Sequence, residues 1–238
     1  MPNAKGAKKT NKKDAQSKVK LMPVFPTWFG SHQWERTPSG IPINEFNDKL
    51  RLALYKMRAN DADGIYRSNL AGTWHSKDTV LKECGDIGNE LGKMFHYVMG
   101  SLASQHGADD GTYAWKFAAW CMMYRDRGYA TPHTHPNCHF SGVYYLDTGA
   151  DTDAELTMAT GVRIKPGTFE AINTSHGNMA APGLDLQPGF RISPRVGQMV
   201  AFPSWLPHFV HPVTGDHERI CIACNGSVIS HKEKSNDV

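Results

Sequence analysis

Apolar side chains recur at helical spacing in two stretches of the first half of the chain. Phe46, Leu50, Leu54 and Met57 fall on one face, with Lys49, Arg51, Lys56 and Arg58 among the polar positions between them. This predicts an amphipathic helix opening at Asn44 as N-cap and ending near Asn60. A second helix is predicted from about Asp86, with Ile87, Leu91, Met94, Phe95, Val98 and Leu102 on one face, stopping before the turn-rich residues 107–111. From Tyr113 the pattern changes to short apolar or alternating runs at 113–124, 140–146, 198–202 and 219–225, which predict strands. A long connection rich in Gly and Pro runs from about Gly161 to Pro194. Helices followed by strands, without strand–helix alternation, predict an α+β fold with a mainly antiparallel sheet or barrel on which both helices lay their apolar stripes.

Length and charge divide the chain into a tail and one folded unit. The 238 residues suffice for one sizeable core, expected over residues 21–238. Residues 1–20 hold seven lysines against Asp14, a net of +6, which leaves −3 for the remainder of a chain of formal charge +3. The basic character therefore belongs to the tail, and the folded part has no charge reason to bind nucleic acid. Without aromatic residues, and with almost no large apolar ones before Val19, the tail is expected to be disordered and solvated; a weak contact to nucleic acid or an anionic surface is the alternative. It has no apolar stretch like that of a signal peptide, and no later segment approaches the roughly 18 apolar residues of a membrane span. Five scattered cysteines then suggest free thiols in a reducing cytoplasm. Cys221 and Cys224 look like a CxxC pair, but on a strand residues three apart face opposite ways, so two separate core residues are expected.

Candidate chemistry concentrates between Thr131 and Leu146. On an extended chain His133 and His135 share a face and can grip one cation; Pro136 and Asn137 suggest a turn before His139. A catalytic metal needs a third donor from a distant strand, and the segment 197–212 offers His208 and His211. An HxH pair alone among twelve histidines would say little; with His208 in place the set argues for a metal.

Taken together, His-Thr-His-Pro-Asn (133–137), Ser-Gly-Val-Tyr-Tyr-Leu (141–146), Phe-Pro-Ser-Trp-Leu-Pro-His (202–208) and Glu-Arg-Ile (218–220) resemble the 2-oxoglutarate/iron(II) oxygenase superfamily, and within it the prolyl 4-hydroxylase-like oxygenases. The resemblance covers residues 113–225 well and the helical part weakly. It implies a double-stranded β-helix, a jelly-roll or cupin-like barrel, with the N-terminal helices packed on its major sheet. It further implies iron(II) held by His133, His135 and His208, 2-oxoglutarate as co-substrate, and ascorbate as a candidate reductant. By position it makes Arg219 the partner of the co-substrate's distal carboxylate, a role suited to a planar and permanently charged fork. Tyr145 corresponds to a tyrosine that shares that carboxylate, and Tyr124 is expected to reach the chelating end of the co-substrate, with core packing as the plain alternative for both. The implied activity is hydroxylation of a C–H bond of a peptide or small molecule, with release of succinate and carbon dioxide.

Two departures from the superfamily pattern matter. His135 stands where most members carry a carboxylate, which leaves more positive charge on the metal and should strengthen binding of an anionic co-substrate. Cys221 stands where many carry a serine, so more of the carboxylate binding falls to Tyr145. Asp147 or Glu155 would supply the acid if the strand register differed. His211 is expected near the site or on the surface, and Trp74, His75 and Trp205 in the core or at the rim. The rival reading is a cupin-type three-histidine metalloenzyme, a dioxygenase or isomerase, that does not use 2-oxoglutarate; a non-catalytic binding barrel would need vestigial histidines. Arg219 separates the first two, since without a dicarboxylate nothing calls for a cation there.

Overall fold

The computed structural model describes residues 26–65, 73–108, 113–125, 127–149, 156–157, 163–174, 189–215 and 217–231. The lysine-rich stretch 1–20, Glu155 and the centre of the 161–194 connection lie outside them.

Both predicted helices form. The first, α1 (Ile43–Asn60), buries Phe46, Leu50, Leu54 and Met57. It opens earlier than expected: Pro42 is the N-cap, and Asn44 stands exposed in the first turn. Upstream contacts set that start, because the Ile43 N–H donates to the Glu35 carbonyl at 2.9 Å and the Phe46 N–H to Pro42 at 3.0 Å. Backbone groups thus satisfy donors that a capping side chain would otherwise meet. A one-turn helix, α2 (Val80–Glu83), leads into α3 (Gly85–Gln105), which buries Leu91, Met94, Phe95, Val98 and Leu102. Each such side chain removed from water contributes roughly 1.5–3 kcal/mol.

These stripes cover one face of a six-stranded sheet. Its strands are β1 (Gly30–Gln33), β2 (Thr73–His75), β3 (Tyr113–Tyr124), β5 (Phe140–Thr148), β10 (Gln198–Pro203) and β12 (Arg219–His231), in the order β1-β10-β5-β12-β3-β2. A second sheet takes β4 (Ala130–His133), β8 (Phe169–Ile172), β9 (Gly189–Ile192) and β11 (His208–Val210), in the order β4-β11-β8-β9. A short ribbon pairs β6 (Leu156–Thr157) with β7 (Arg163–Ile164). All these ladders are antiparallel, as the α+β expectation requires.

Period-two alternation divides the large sheet's side chains between two cores. Ala119, Cys121 and Met123 of β3, with Ile220, Ile222 and Cys224 of β12, face the helices. Trp120, Met122 and Tyr124, with Cys221 of β12 and Tyr145 of β5, face the second sheet. Cys221 and Cys224 therefore point to opposite sides, and all five cysteines are free thiols.

Two differences from the sequence expectation concern the sheet's outer parts. β1, ahead of α1, and β2, between α1 and α2, form its edges, and strands of three or four residues are too short to register as alternation. β12 runs past Asn225 to His231, with a register shift between Val228 and Ser230 against β3. No helix among the described residues is long and apolar enough to cross a membrane.

Candidate active site

Where the small sheet faces the large one, a cavity of about 370 Å³ opens. His133, at the end of β4, and His208, at the start of β11, are cross-strand partners. His135 lies just beyond β4, its backbone N–H donating to the Ser204 carbonyl at 2.9 Å. One potential ligand nitrogen from each of the three lies within 4.8 Å of the others. The ring centroids of His133 are 5.0 Å from His135 and 4.4 Å from His208, and the Nε2 atoms of His135 and His208 are 3.2 Å apart.

Tautomers follow from the backbone. His133 Nδ1 lies 2.6 Å from the Thr131 carbonyl and His208 Nδ1 lies 2.9 Å from that of Leu206. A carbonyl only accepts, so each Nδ1 carries the proton and each Nε2 keeps its lone pair for the cluster centre. Burial depresses all three basicities. His208 falls to about 3, through desolvation and then the neighbouring His133 and His135. His135 falls to about 4 by desolvation and the proximity of His133, and His133 falls by desolvation against the opposing Thr131 hydrogen bond. Three neutral imidazoles converging, with the Nε2 lone pairs of His133 and His208 directed by their backbone partners, fit a divalent metal.

At the other end of the cavity lies Arg219, 1 % exposed. Its guanidinium carbon is 4.8 Å from the Tyr124 ring centroid and 5.4 Å from that of Tyr145, and Nη1 donates to Cys221 Sγ at 3.4 Å. Among the described residues, its Nε and the Tyr145 hydroxyl are buried without a hydrogen-bond partner. No carboxylate among the described residues forms an ion pair with it. Burial raises the Tyr124 and Tyr145 hydroxyls well above the ordinary phenol range, so both remain donors. The turn before β8 leaves room for the guanidinium: at Gly167, with φ +69°, a Cβ would come 2.9 Å from Arg219 Cδ. A buried cation with its own Nε unmet, beside one unmet tyrosine hydroxyl, fits an incoming carboxylate.

Tyr124 departs from expectation. It pairs with Arg219 across β3 and β12, so it lies at the guanidinium end rather than the metal end. Trp120, four residues back along β3, is the residue beside the histidines, its ring 5.7 Å from that of His135. Four residues of strand span about 13 Å, too far for a phenol to reach back.

The alternatives to the histidine triad lie elsewhere. Asp147 receives Arg51 of α1 at 2.7 Å and the Gly149 N–H at 3.1 Å, outside the cluster. His211 bonds Glu170 at 2.8 Å, and His139 Nδ1 accepts the Val228 N–H at 3.1 Å. Trp74 is core, donating to the Asp61 carbonyl, and Trp205 is 57 % exposed in the β10–β11 turn. His75 enters the cavity wall stacked on Trp120, with ring centroids 5.9 Å apart. Sequence reasoning did not single out Trp120, Met122, Ser141 or Asn225, which also line the cavity. Only their parity with Tyr124, Tyr145 and Arg219 along β3, β5 and β12 marks them.

Comparison with known proteins gives the same picture from outside. Residues 118–225 match a family model described as "Putative 2OG-Fe(II) oxygenase". Among curated proteins nothing matches the chain. Among solved structures, AviO1 from Streptomyces viridochromogenes Tue57 superposes with a TM-score of 0.53 at 14% identity, over 86% of this chain and 91% of that one. A prolyl hydroxylase from Trichoplax adhaerens, in complex with a hypoxia inducible factor peptide fragment, superposes with a TM-score of 0.52 at 12% identity, over 84% of this chain and 83% of that one. At such identities the likeness is one of fold, the double-stranded β-helix.

Proposed function

We propose, starting from the match of residues 118–225 to the 2OG-Fe(II) oxygenase family model, that this chain is a 2-oxoglutarate- and iron(II)-dependent dioxygenase hydroxylating a C–H bond of a peptide or small molecule. The observation that carries this reading is the pairing, in one cavity, of three convergent neutral imidazoles with a buried arginine that forms no ion pair with an acid among the described residues. His133, His135 and His208 would hold the metal, and Arg219, with the Tyr145 and Tyr124 hydroxyls near it, would hold the distal carboxylate of the co-substrate. Iron(II) and 2-oxoglutarate, when bound, supply an oxidative decarboxylation to succinate and carbon dioxide that is coupled to substrate oxidation.

The chain's own residues contribute placement and exclusion. Histidines on neighbouring short strands fix the metal without reorganisation, because their Nδ1 protons are already committed to carbonyls. Arg219 orients the dicarboxylate, since its position on the central strand β12 sets the distance from anchor to metal. Phe169 and Phe202, with ring centroids 5.2 Å and 4.6 Å from that of His208, would shield the histidine cluster from water on that side. A cupin-type enzyme without 2-oxoglutarate would leave Arg219 a buried charge with nothing to meet, which disfavours that reading. Five cysteines that remain free thiols support a cytoplasmic location.

The test is anaerobic titration of metal-free protein with iron(II) and then 2-oxoglutarate. A visible metal-to-ligand charge-transfer band should appear, with succinate formed on admission of oxygen. Arg219→Ala should keep iron and bind 2-oxoglutarate at least about tenfold more weakly. Folded, iron-loaded wild type that gives neither band nor succinate rejects the proposal.

A further inference from the structure

We infer that Asn225, oriented by Ser141, is the substrate-positioning residue of this cavity, and that the substrate group it meets is an uncharged hydrogen-bond acceptor, the carbonyl of an amide. This deepens the dioxygenase reading and rests on it for the roles of the two ends of the cavity.

The large sheet sets a scale along the cavity. Arg219, Cys221, Ala223 and Asn225 succeed one another on the inner face of β12. Their cross-strand partners are Tyr124 for Arg219, Met122 and Tyr145 for Cys221, Trp120 and Val143 for Ala223, and Ser141 for Asn225. Trp120, in the Ala223 row, has its ring 5.7 Å from that of His135, and Phe202, which pairs with Ser141 in the Asn225 row, has its ring 4.6 Å from that of His208, so the histidine cluster stands over these two rows. Arg219 then lies about 13 Å along β12 from the nearer of them, and Asn225 sits by the histidines at the end away from Arg219. A dicarboxylate held by Arg219 and reaching toward the histidines occupies the interval between. The end at Asn225 is left for the substrate.

That second end has a defined polarity. Ser141 is 2 % exposed, and its hydroxyl donates to Asn225 Oδ1 at 2.9 Å. With Oδ1 engaged, the two N–H donors of the amide are left for the cavity, and no other hydrogen bond of this side chain is found among the described residues. Among the described lining residues Arg219 is the sole side chain that is charged at every working pH, and it sits at the far end. A carboxylate or ammonium on the substrate would lose its hydration beside Asn225 and gain no opposite charge. A carbonyl oxygen exchanges a water for an Asn225 N–H and loses little.

The experiment uses the iron(II) and 2-oxoglutarate complex of the full chain under anaerobic conditions. N-acetylglycinamide and N-acetylglycine, alike in size and different in charge, are titrated separately while the charge-transfer band is followed. The amide should perturb the band, and the acid should do so at least about tenfold more weakly. Asn225→Leu should weaken the amide response at least about tenfold, and Ser141→Ala by less, because the amide is then free to turn. Asn225→Asp, which keeps the size and loses the donors, should match the leucine variant and takes its place should that variant not fold. In all three variants 2-oxoglutarate affinity should stay within about twofold of wild type, which a merely structural role would not leave intact. Equal responses to amide and acid, an amide response unchanged in Asn225→Leu and Asn225→Asp, or none in the wild type would each overturn the inference. A loss of 2-oxoglutarate affinity in the Asn225 variants equal to that in Arg219→Ala would overturn it by assigning Asn225 to the co-substrate. A wild type without any charge-transfer band fails at the earlier step: it rejects the dioxygenase reading, and this inference with it.

Discussion

A guanidinium that is 1 % exposed gives up its hydration on folding, and among the described residues Arg219 recovers a thiol and two tyrosines but no carboxylate. Such a residue weakens the empty protein and finds its compensation in a bound anion. Stability and function should therefore separate at this position. Arg219→Met, which fills similar volume without charge, is expected to leave the melting temperature of metal-free protein equal to or above that of wild type. The rise in melting temperature that iron(II) with 2-oxoglutarate gives the wild type should shrink to the part due to iron alone. Thermal melts of both proteins with and without the two ligands check this. A variant that melts far lower when empty would make Arg219 a structural residue and remove its role as anchor. The same residue explains why the site was half legible from sequence. Histidines at 133, 135 and 208 and an arginine at 219 are chemically specific and marked by spacing, whereas Asn225 and Ser141 are ordinary polar residues until strand pairing brings them together.

Among the elements, α3 is fastened to the chain ahead of α1 by one buried acid. Glu90 accepts the Ser39 N–H at 2.7 Å, the Ser39 hydroxyl at 2.8 Å and Lys93 Nζ at 3.0 Å. Burial pushes its carboxyl up, but hydrogen bonds from Thr37, Ser39 and Lys93 outweigh that and hold it down at about 2. A carboxyl depressed on folding contributes stability that is fully present above its unfolded pKa and lost as pH falls through the folded one. Glu90→Gln should therefore cost about 1–3 kcal/mol near neutral pH. The gap to wild type should narrow as pH drops from the ordinary carboxylate range toward about 2, the value set by the native contacts. Urea unfolding of both proteins across that range reads the difference; a gap that does not change with pH would mean that the charge of Glu90 contributes nothing. Neither this clip nor β1 was visible in the sequence, because both depend on partners over fifty residues away. The stripes of α1 and α3 and the runs of β3, β5, β10 and β12 were visible, because each carries its own period. Depth along a strand was the hardest quantity to read: Tyr124 and Trp120 share a face of β3, and only the register with β12 decides which is beside the histidines.

Over the whole molecule the two sheets carry different parts of the chemistry and different amounts of core. The large sheet packs one face on α1 and α3 and holds Arg219 on β12, paired on both sides over most of its length. The small sheet has strands of three or four residues, and its β4 and β11 carry His133 and His208, with His135 just past the end of β4. Short strands with one packed face open at lower free energy than a central strand buried on both faces. In the proposed site metal binding would join β4 to β11 through the pair His133 and His208, so its stabilisation should be felt first in the weaker layer. In metal-free protein, amide hydrogen exchange should be faster in β4, β8 and β11 than in β3, β5 and β12. Adding iron(II) alone should slow exchange in β4 and β11 and leave β12 nearly unchanged. Adding 2-oxoglutarate should then extend the protection to Arg219 and its neighbours on β12, because that ligand alone spans the gap between the sheets. Exchange that slows equally in both sheets with iron alone would mean that the layers open as one cooperative unit. In that case the separation of metal-holding and anchor-holding sheets would have no counterpart in the protein's motions.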